Sequence, residues 1–327
     1  TQKEMNKVVL SNPGAALVDI GDGVYCLEFT SPNNSIGGDL VSMVLQSVDY
    51  VAQKGEGLVL GNHGKNFCVG ANLMLVLMEA QDENWDDIDL MIRMLHKAML
   101  AIKYSPKPVV AAPFNMTLGG GYEFVMHSHR VRAAAETYMG LVELGVGVIP
   151  AGGGTKESAV RAAQQAGSEK VDLQPYINNA FEKIAMAKVS TSGQEAKELG
   201  LLREADKITA NSDFLINDAK KMVLSMAQEG FVPLRPEPIR VAGKPALATL
   251  KLATYTMREG GYISEYDQFI ANKLAYVLTG GNVAANSYVT EDYLIELERE
   301  AFLSLCGEQR TQARMQYMLT KGKPLRN

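Results

Sequence analysis

The sequence predicts an α/β fold: an amino-terminal part built on a parallel sheet, followed by an α-helical extension. Three observations carry that prediction. Val24 to Thr30, Gly38 to Lys54 and Gly57 to Gly61 run in the order strand, helix, strand, which requires a crossover and therefore parallel, normally right-handed, pairing. A turn of small residues at Val69 to Asn72 and a glycine run at Gly119 to Gly121 follow strand-like runs, beyond the carboxyl ends of strands where ligands sit in parallel α/β architectures. Past Thr155 the strand signals fade, and from Asn211 onward the pattern is mostly helical. The reading divides the chain into a linker or cut edge at residues 1–18, a core at 19–208 and a helical extension at 209–327.

Length and composition bound the rest. The 327 residues, 46% hydrophobic and 21% charged, suffice for a sizeable core. A net charge of -5 gives no electrostatic case for nucleic acid. No apolar run reaches the roughly 18 residues of a membrane span. Cys26, Cys68 and Cys306 are odd in number, far apart and without a C-x-x-C pair, which predicts no disulfide and a reducing, cytoplasmic setting. The four histidines contain no H-E-x-x-H pair, and His127 and His129 fall on different faces of a helix, so no metal site is expected.

Residues 1 to about 18 are polar and contain Asn and Pro without clear periodicity. Val24 to Thr30 is rich in β-branched and aromatic residues between turn-forming clusters and reads as a strand. Leu40, Val41, Val44, Leu45, Val48 and Val51 recur at helical spacing. Gly57 to Gly61 reads as a short buried strand. The turn from Asn66 to Leu73 leads into a Leu/Met-rich run. Asp82 to Asp89 reads as a solvated connection or lid, and Met91, Met94, Leu95, Ala98, Met99 and Ile102 then mark one face of a long helix. Ser105-Pro106-Lys107-Pro108 stops it, and Pro108 to Phe114 reads as a buried strand delivering the chain to Leu118-Gly119-Gly120-Gly121-Tyr122-Glu123. Arg130 to Ala135 and Thr137 to Gly140 read as short strands. Ser192 with Glu195 forms a capping-box pattern, with Gly200 beyond it. Phe214 to Glu229, Leu247 to Glu259, Glu265 to Leu278 and Thr290 to Cys306 read as helices.

Two stretches carry chemistry. If Gly120 and Gly121 open a helix, their N–H groups have no intrahelical partners, and the helix dipole adds partial positive charge. Glu123 then lies one turn inside. Taken alone, the same residues also read as an ordinary helix start, since a glutamate in a first turn suits the dipole. The second stretch is Leu141 to Pro150, apolar but for Glu143. A carboxylate in such surroundings must be neutralised, hydrogen-bonded or functional. Gly152 to Gly154 lacks the P-loop pattern, and no G-x-G-x-x-G opens a strand-helix unit, so neither an ATP site nor a nicotinamide site is expected.

With these residues in hand, the sequence resembles the crotonase superfamily of enoyl-CoA hydratases and isomerases. The resemblance rests on F-C-V-G-A-N at Phe67 to Asn72, K-P-V-V-A-A at Lys107 to Ala112, L-G-G-G-Y-E-F at Leu118 to Phe124 and V-E-L-G-V-G-V-I-P-A-G-G-G-T at Val142 to Thr155, with S-G-Q-E-A-K-E-L-G-L at Ser192 to Leu201 as a fifth segment. It covers about residues 20 to 205. The remainder, through the terminal G-K-P-L-R-N, looks like the C-terminal hydratase part of a bacterial multifunctional 3-hydroxyacyl-CoA dehydrogenase of fatty-acid β-oxidation, with the dehydrogenase part preceding Thr1.

The resemblance implies a spiral of stacked β-β-α turns and a helical C-terminal region that builds trimers or hexamers. It implies an acyl-CoA thioester as substrate and no cofactor. The oxyanion hole falls on the amides of Val69 and Gly120, the catalytic carboxylates on Glu123 and Glu143, and coenzyme A contacts on the backbone of Val69, Gly70, Ala71 and Asn72. Keeping both glutamates favours hydration of a 2-enoyl thioester, with Glu143, in the more apolar surroundings, as proton donor. A double-bond isomerase, a thioester hydrolase and a non-catalytic acyl-CoA-binding or assembly module are the alternatives. Three positions depart from the family's usual residues: Val69 for Ala, Asn72 for Asp and Asn115 for Gly, the last tolerable because Asn accepts a left-handed backbone better than most residues.

Overall fold

The computed structural model describes residues 7–327. Its secondary structure opens with β1 (Val8–Ser11), β2 (Ala15–Asp19) and β3 (Val24–Phe29), followed by α1 (Gly38–Lys54) and β4 (Gly57–Gly61). Then come α2 (Leu73–Gln81), α3 (Trp85–Lys103), β5 (Val109–Ala111), β6 (Asn115–Leu118), α4 (Gly120–His127), β7 (Arg130–Ala134) and β8 (Thr137–Gly140). The chain continues through α5 (Gly154–Ala166), α6 (Gln174–Ala185), α7 (Gly193–Glu198), β9 (Lys207–Thr209) and α8 (Leu215–Gln228). It closes with β10 (Ile239–Val241), α9 (Gly243–Glu259), α10 (Glu265–Leu278), β11 (Ser287–Val289), α11 (Glu291–Cys306) and α12 (Gln309–Lys321).

Two compact units emerge. The first holds residues 1–72, 94–140 and 189–235, of which 7 onward are described; the second holds 73–93, 141–188 and 236–327. The first unit carries a seven-stranded sheet in the order β1-β2-β3-β4-β5-β7-β9. β1, β2 and β3 pair antiparallel, and from β3 onward every pairing is parallel, as the strand-helix-strand order demands.

Beside this sheet runs a second layer: β6 pairs with β8 in parallel, and Cys68 bridges to Thr117. Each pass of the chain therefore places one strand in the large sheet and a short strand or bridge in the second layer before entering a helix. β4 precedes Cys68, β5 precedes β6, and β7 precedes β8. This is the repeated β-β-α spiral that the resemblance implies.

Apolar side chains at alternate positions explain how the sheet is closed. Val24, Cys26, Val59, Val110 and Ala134 cluster with Leu215, Ala219 and Val223 of α8, as the period-2 strand and period-3.6 helix patterns require. The division at residue 208 is corrected here. α8 belongs with the sheet because its apolar stripe covers one sheet face, and so 189–235 cluster with the first unit.

The linker reading of residues 1–18 is corrected as well, for the residues described. Val8–Ser11 and Ala15–Asp19 are strands, turned by Asn12, whose Oδ1 accepts from the amides of Gly14 and Ala15 at 2.9 and 3.0 Å. The short apolar run Ala15-Ala16-Leu17-Val18 is the signal, since such runs suit a strand buried on both faces. Residues 1–6 lie outside the described residues. The acidic stretch 82–89 also differs from expectation: α3 begins at Trp85, with Asp86 and Asp87 in its first turn, where carboxylates oppose the helix dipole favourably.

Elsewhere the periodicities fall where expected. α1 and β4 have the predicted bounds, as does α10. Ser192 caps α7 by accepting from the Glu195 amide at 3.0 Å. Asn115 has φ of 45°, in the left-handed region that Asn tolerates.

Candidate active site

In the first unit the turn from Phe67 to Asn72 is laid against β6 by its backbone. The Cys68 amide donates to the Met116 carbonyl at 3.2 Å, and the Leu118 amide returns to the Cys68 carbonyl at 3.0 Å. Ile36 pins the far side, donating to Gly70 and accepting from Asn72 at 2.9 and 3.0 Å. The turn is thus fixed on both edges.

β6 then delivers the chain to Gly119, at φ of 55° and ψ of -127°, and α4 begins at Gly120. The glycines are required by proximity. A Cβ on Gly121 would lie 2.3 Å from the Cys68 carbonyl oxygen, and a Cβ on Gly70, at φ of 102°, would lie 3.4 Å from the Gly120 nitrogen. A Cβ on Gly120 would stand 3.7 Å from the Ala71 nitrogen and 3.6 Å from Glu123 Oε2. The Gly70–Ala71 backbone, the first amide of α4 and the Glu123 carboxyl therefore share one small space. Of the residues predicted from sequence, Gly70, Ala71, Gly120 and Glu123 come together here, with Val69 in the same turn and Asn72 anchoring its exit.

Glu123 is 2% exposed. Its amide donates to the Gly119 carbonyl at 3.0 Å, and its own carbonyl lies 2.7 Å from His127 Nδ1. Burial pushes the neighbouring Cys68 thiol up to about 12, a backbone hydrogen bond from Gly70 opposes the rise, and the Glu123 charge adds to it. Cys68 is the residue of this cradle that sequence reasoning left without a role.

Glu143 belongs to the second unit. It opens a short helical turn, Glu143–Val146, that ends at Gly147 with φ of 91°. The residue is of intermediate exposure, but its Oε2 is sealed from solvent and has no hydrogen-bond partner. The environment of that oxygen governs its chemistry. Burial raises the carboxyl to about 7, hydrogen bonds from the Glu143 and Val142 amides pull it down, and the Glu298 carboxylate pushes it further up.

The same unit contains a second glycine-led helix start. At the head of α5, Glu298 of α11 accepts from the Gly153 amide at 2.6 Å and from the Lys156 amide at 2.7 Å. Lys156 is fully buried, its Nζ 2.8 Å from Glu291 and 3.1 Å from Glu157. Burial would lower this amine, but the two carboxylates outweigh it and hold it above its ordinary value. Sequence reasoning assigned nothing to Glu291 or Glu298. The signal was available, because both share a helical stripe with Leu294, Ala301, Phe302 and Leu305.

Among the described residues no group of three or more His, Cys, Asp or Glu is placed to hold a metal ion, and no helix is long and apolar enough to cross a membrane. A separate cavity in the first unit is lined by Asn62, His63, Phe114, Glu136 and Asp213 among others. None of the predicted site residues lines it.

Comparison with known proteins decides the lineage. The profile of the enoyl-CoA hydratase/isomerase family matches residues 19–230. The chain belongs to this family. A Bacillus subtilis protein named a probable 3-hydroxyacyl-CoA dehydrogenase is 50% identical over 325 residues, which make up 99% of this chain and 41% of that protein. Human mitochondrial methylglutaconyl-CoA hydratase is 28% identical over 212 residues, 64% of this chain and 56% of the relative. The crystal structure of an enoyl-CoA hydratase from Bacillus halodurans has the same fold, with a TM-score of 0.62 at 18% identity over 93% of this chain and 99% of that one. The chain spans about two fifths of the length of the first curated relatives it matches. The enoyl-CoA hydratase/isomerase match includes Val69, Gly120, Glu123 and Glu143 and ends well before α9.

Proposed function

We propose that the chain is an enoyl-CoA hydratase of fatty-acid β-oxidation, adding water to a trans-2-enoyl-CoA to give a 3-hydroxyacyl-CoA. One observation carries the reading: the Gly70–Ala71 backbone and the Gly120 amide share their space with the Glu123 carboxyl. In this reading the thioester oxygen accepts from the Val69 and Gly120 amides, and the negative charge that grows on it during addition is met by donors already in place. Losing one such donor typically costs about 100- to 1,000-fold in rate. Glu123 takes a proton from water as its oxygen bonds to C3. Glu143 delivers a proton to C2. A carboxyl raised to about 7 is about half protonated at neutral pH, which suits a donor.

The reading needs no cofactor in this chain, since the thioester is the substrate. It extends to a dehydrogenase part in the same polypeptide, supported by the name of the Bacillus subtilis relative and the short share of it that this chain spans. A 3-hydroxyacyl thioester, the product proposed here, is what such a part oxidises. Three buried free cysteines, Cys26, Cys68 and Cys306, fit a reducing cytoplasm. The helical tail, α9 to α12, serves self-association as a trimer or hexamer.

Loss of the enoyl-thioester absorbance of crotonyl-CoA tests the activity. Glu123→Gln and Glu143→Gln should each lower turnover by about 100- to 10,000-fold, the usual worth of a general acid or base. Unchanged turnover in both variants would overturn the mechanism, and binding without turnover in the wild type would leave a non-catalytic acyl-CoA module. Light scattering on the same preparation, coupled to size exclusion, checks assembly; a clean monomer would rule out the trimer.

A further inference from the structure

We propose that Thr311, Tyr266 and Arg314 are positioning residues for the Glu143 carboxyl, so that α10 and α12 serve the site itself. The proposal rests on the reading of Glu143 as proton donor. All three residues lie beyond the segment matched by the family profile, 19–230.

The starting point is how the carboxyl is held. Oε2 is buried without a partner, and the hydrogen bonds to the carboxyl come from the amides of Val142 and Glu143 themselves. The carboxyl therefore moves with its own turn. Whatever fixes that backbone fixes the proton.

Two carbonyls of the turn are gripped from one face of α12. Thr311 Oγ1 donates to the Gly147 carbonyl at 2.6 Å, and Arg314 Nη1 reaches the Leu144 carbonyl with a long contact of 3.4 Å. Positions 311 and 314 are three apart, hence neighbours on the helix surface. Gly147 admits this approach because it has no side chain: a Cβ there would stand 2.8 Å from Thr311 Oγ1 and 2.9 Å from Thr311 Cα.

Proton counting orders the network. The Thr311 hydroxyl has one hydrogen, and the Gly147 carbonyl can only accept it. The 2.6 Å contact between Tyr266 and Thr311 must then have Tyr266 O–H donating to Thr311. Arg314 is held in turn by Asp267 at 2.8 Å and by Asn327 Oδ1 at 2.8 Å, with its guanidinium 5.1 Å over the Tyr266 ring. Thr311, Arg314 and Tyr266 are 0%, 2% and 4% exposed, so water does not substitute for these bonds. Arg314's charge is balanced by Asp267, while Glu298 is the charged group that acts on the Glu143 carboxyl.

The test compares Thr311→Val, which keeps the shape and removes the hydroxyl, with Thr311→Ser, which keeps the hydroxyl. A displacement of about 1 Å at a reacting group costs up to roughly 100-fold. Thr311→Val should therefore lower kcat for crotonyl-CoA about 10- to 100-fold with KM within about twofold, and Thr311→Ser should restore most of it. Tyr266→Phe, a milder lesion, should lower kcat by about threefold. Turnover unchanged within about twofold in Thr311→Val, or a loss confined to KM, overturns the proposal.

A second readout does not depend on turnover. The Glu143 carboxyl, assigned by its disappearance in Glu143→Gln, is titrated by carbon-13 NMR in the wild type and in Thr311→Val. Loosening the turn admits water, so its midpoint should fall toward the ordinary glutamate range; an unmoved midpoint overturns the positioning role. A wild type that titrates as described but does not hydrate crotonyl-CoA refutes the hydratase reading and leaves the positioning result standing.

Discussion

Two helices in this protein begin on glycine runs, and they put the same backbone device to different uses. Gly119–Gly121 open α4 and Gly152–Gly154 open α5, and in each the first amides have no intrahelical acceptor. At α5 the vacancy is filled from within by Glu298 of α11, at 2.6 and 2.7 Å from two amides. That helix end becomes a joint. At α4 the neighbouring groups are the Gly70–Ala71 backbone and the Glu123 carboxyl. In the function proposed above, the first helix end makes structure and the second meets a ligand's oxygen.

The comparison breaks first at Glu298. Glu298→Ala removes the acceptor of two buried amides, and hydrogen bonds to a charged group contribute about 1.5 to 3 kcal/mol each. A loss of about 3 kcal/mol or more is expected from urea unfolding. A loss below about 1 kcal/mol would mean that the joint contributes little. At α4 the corresponding lesion is steric. Gly121→Ala drives a Cβ to within 2.3 Å of the Cys68 carbonyl, and such overpacking costs about 1 to 3 kcal/mol. It should also slow hydration, because Cys68 can yield only by moving Val69. A melting temperature and turnover equal to the wild type's would show that the cradle is not tight.

A pH dependence probes the Glu143 turn. Glu143 is raised from 4.5 to about 7, so the folded state binds its proton more tightly than the unfolded chain does. By linkage, the stability this group contributes is fully present below about 4.5 and is lost as pH rises through about 7. The rate should follow the same proton on the alkaline side, falling as pH rises through about 7. Glu143→Gln should flatten the stability profile across that window when denaturant midpoints are measured at several pH values. A wild-type profile that already matches the variant's would exclude the raised carboxyl.

Much of this was legible in the sequence, for identifiable reasons. α1, β4 and α10 announce themselves by strong periodicity between turn residues, and Asn115 sits where a left-handed residue is needed. The cradle was legible because glycine at 70 and 121 is demanded by contacts between segments fifty residues apart, and those contacts leave a fixed local pattern. The hairpin of β1 and β2 was missed because its strands are short and its turn, built on Asn12 and Pro13, resembles a linker. α8 was grouped with the tail because a helix's stripe does not say which sheet it covers. Thr311, Arg314 and Tyr266 gave no signal at all. Thr311 and Arg314 reach backbone carbonyls more than a hundred residues away, a carbonyl has no letter in the sequence, and Tyr266 joins them only through the Thr311 hydroxyl.

Cys68 has a further consequence, in the protein's covalent chemistry. Its thiol and that of Cys306 are pushed up to about 12 by burial, so near neutral pH roughly one part in ten thousand or less is thiolate. Cys26 is buried too. Reagents that attack a thiolate find almost none at Cys68 or Cys306 in the folded molecule. A nucleophile thus lies beside the carboxyl cradle without competing for an electrophilic thioester, and any label that does reach Cys68 or Cys306 dates a moment when the surrounding layer had opened.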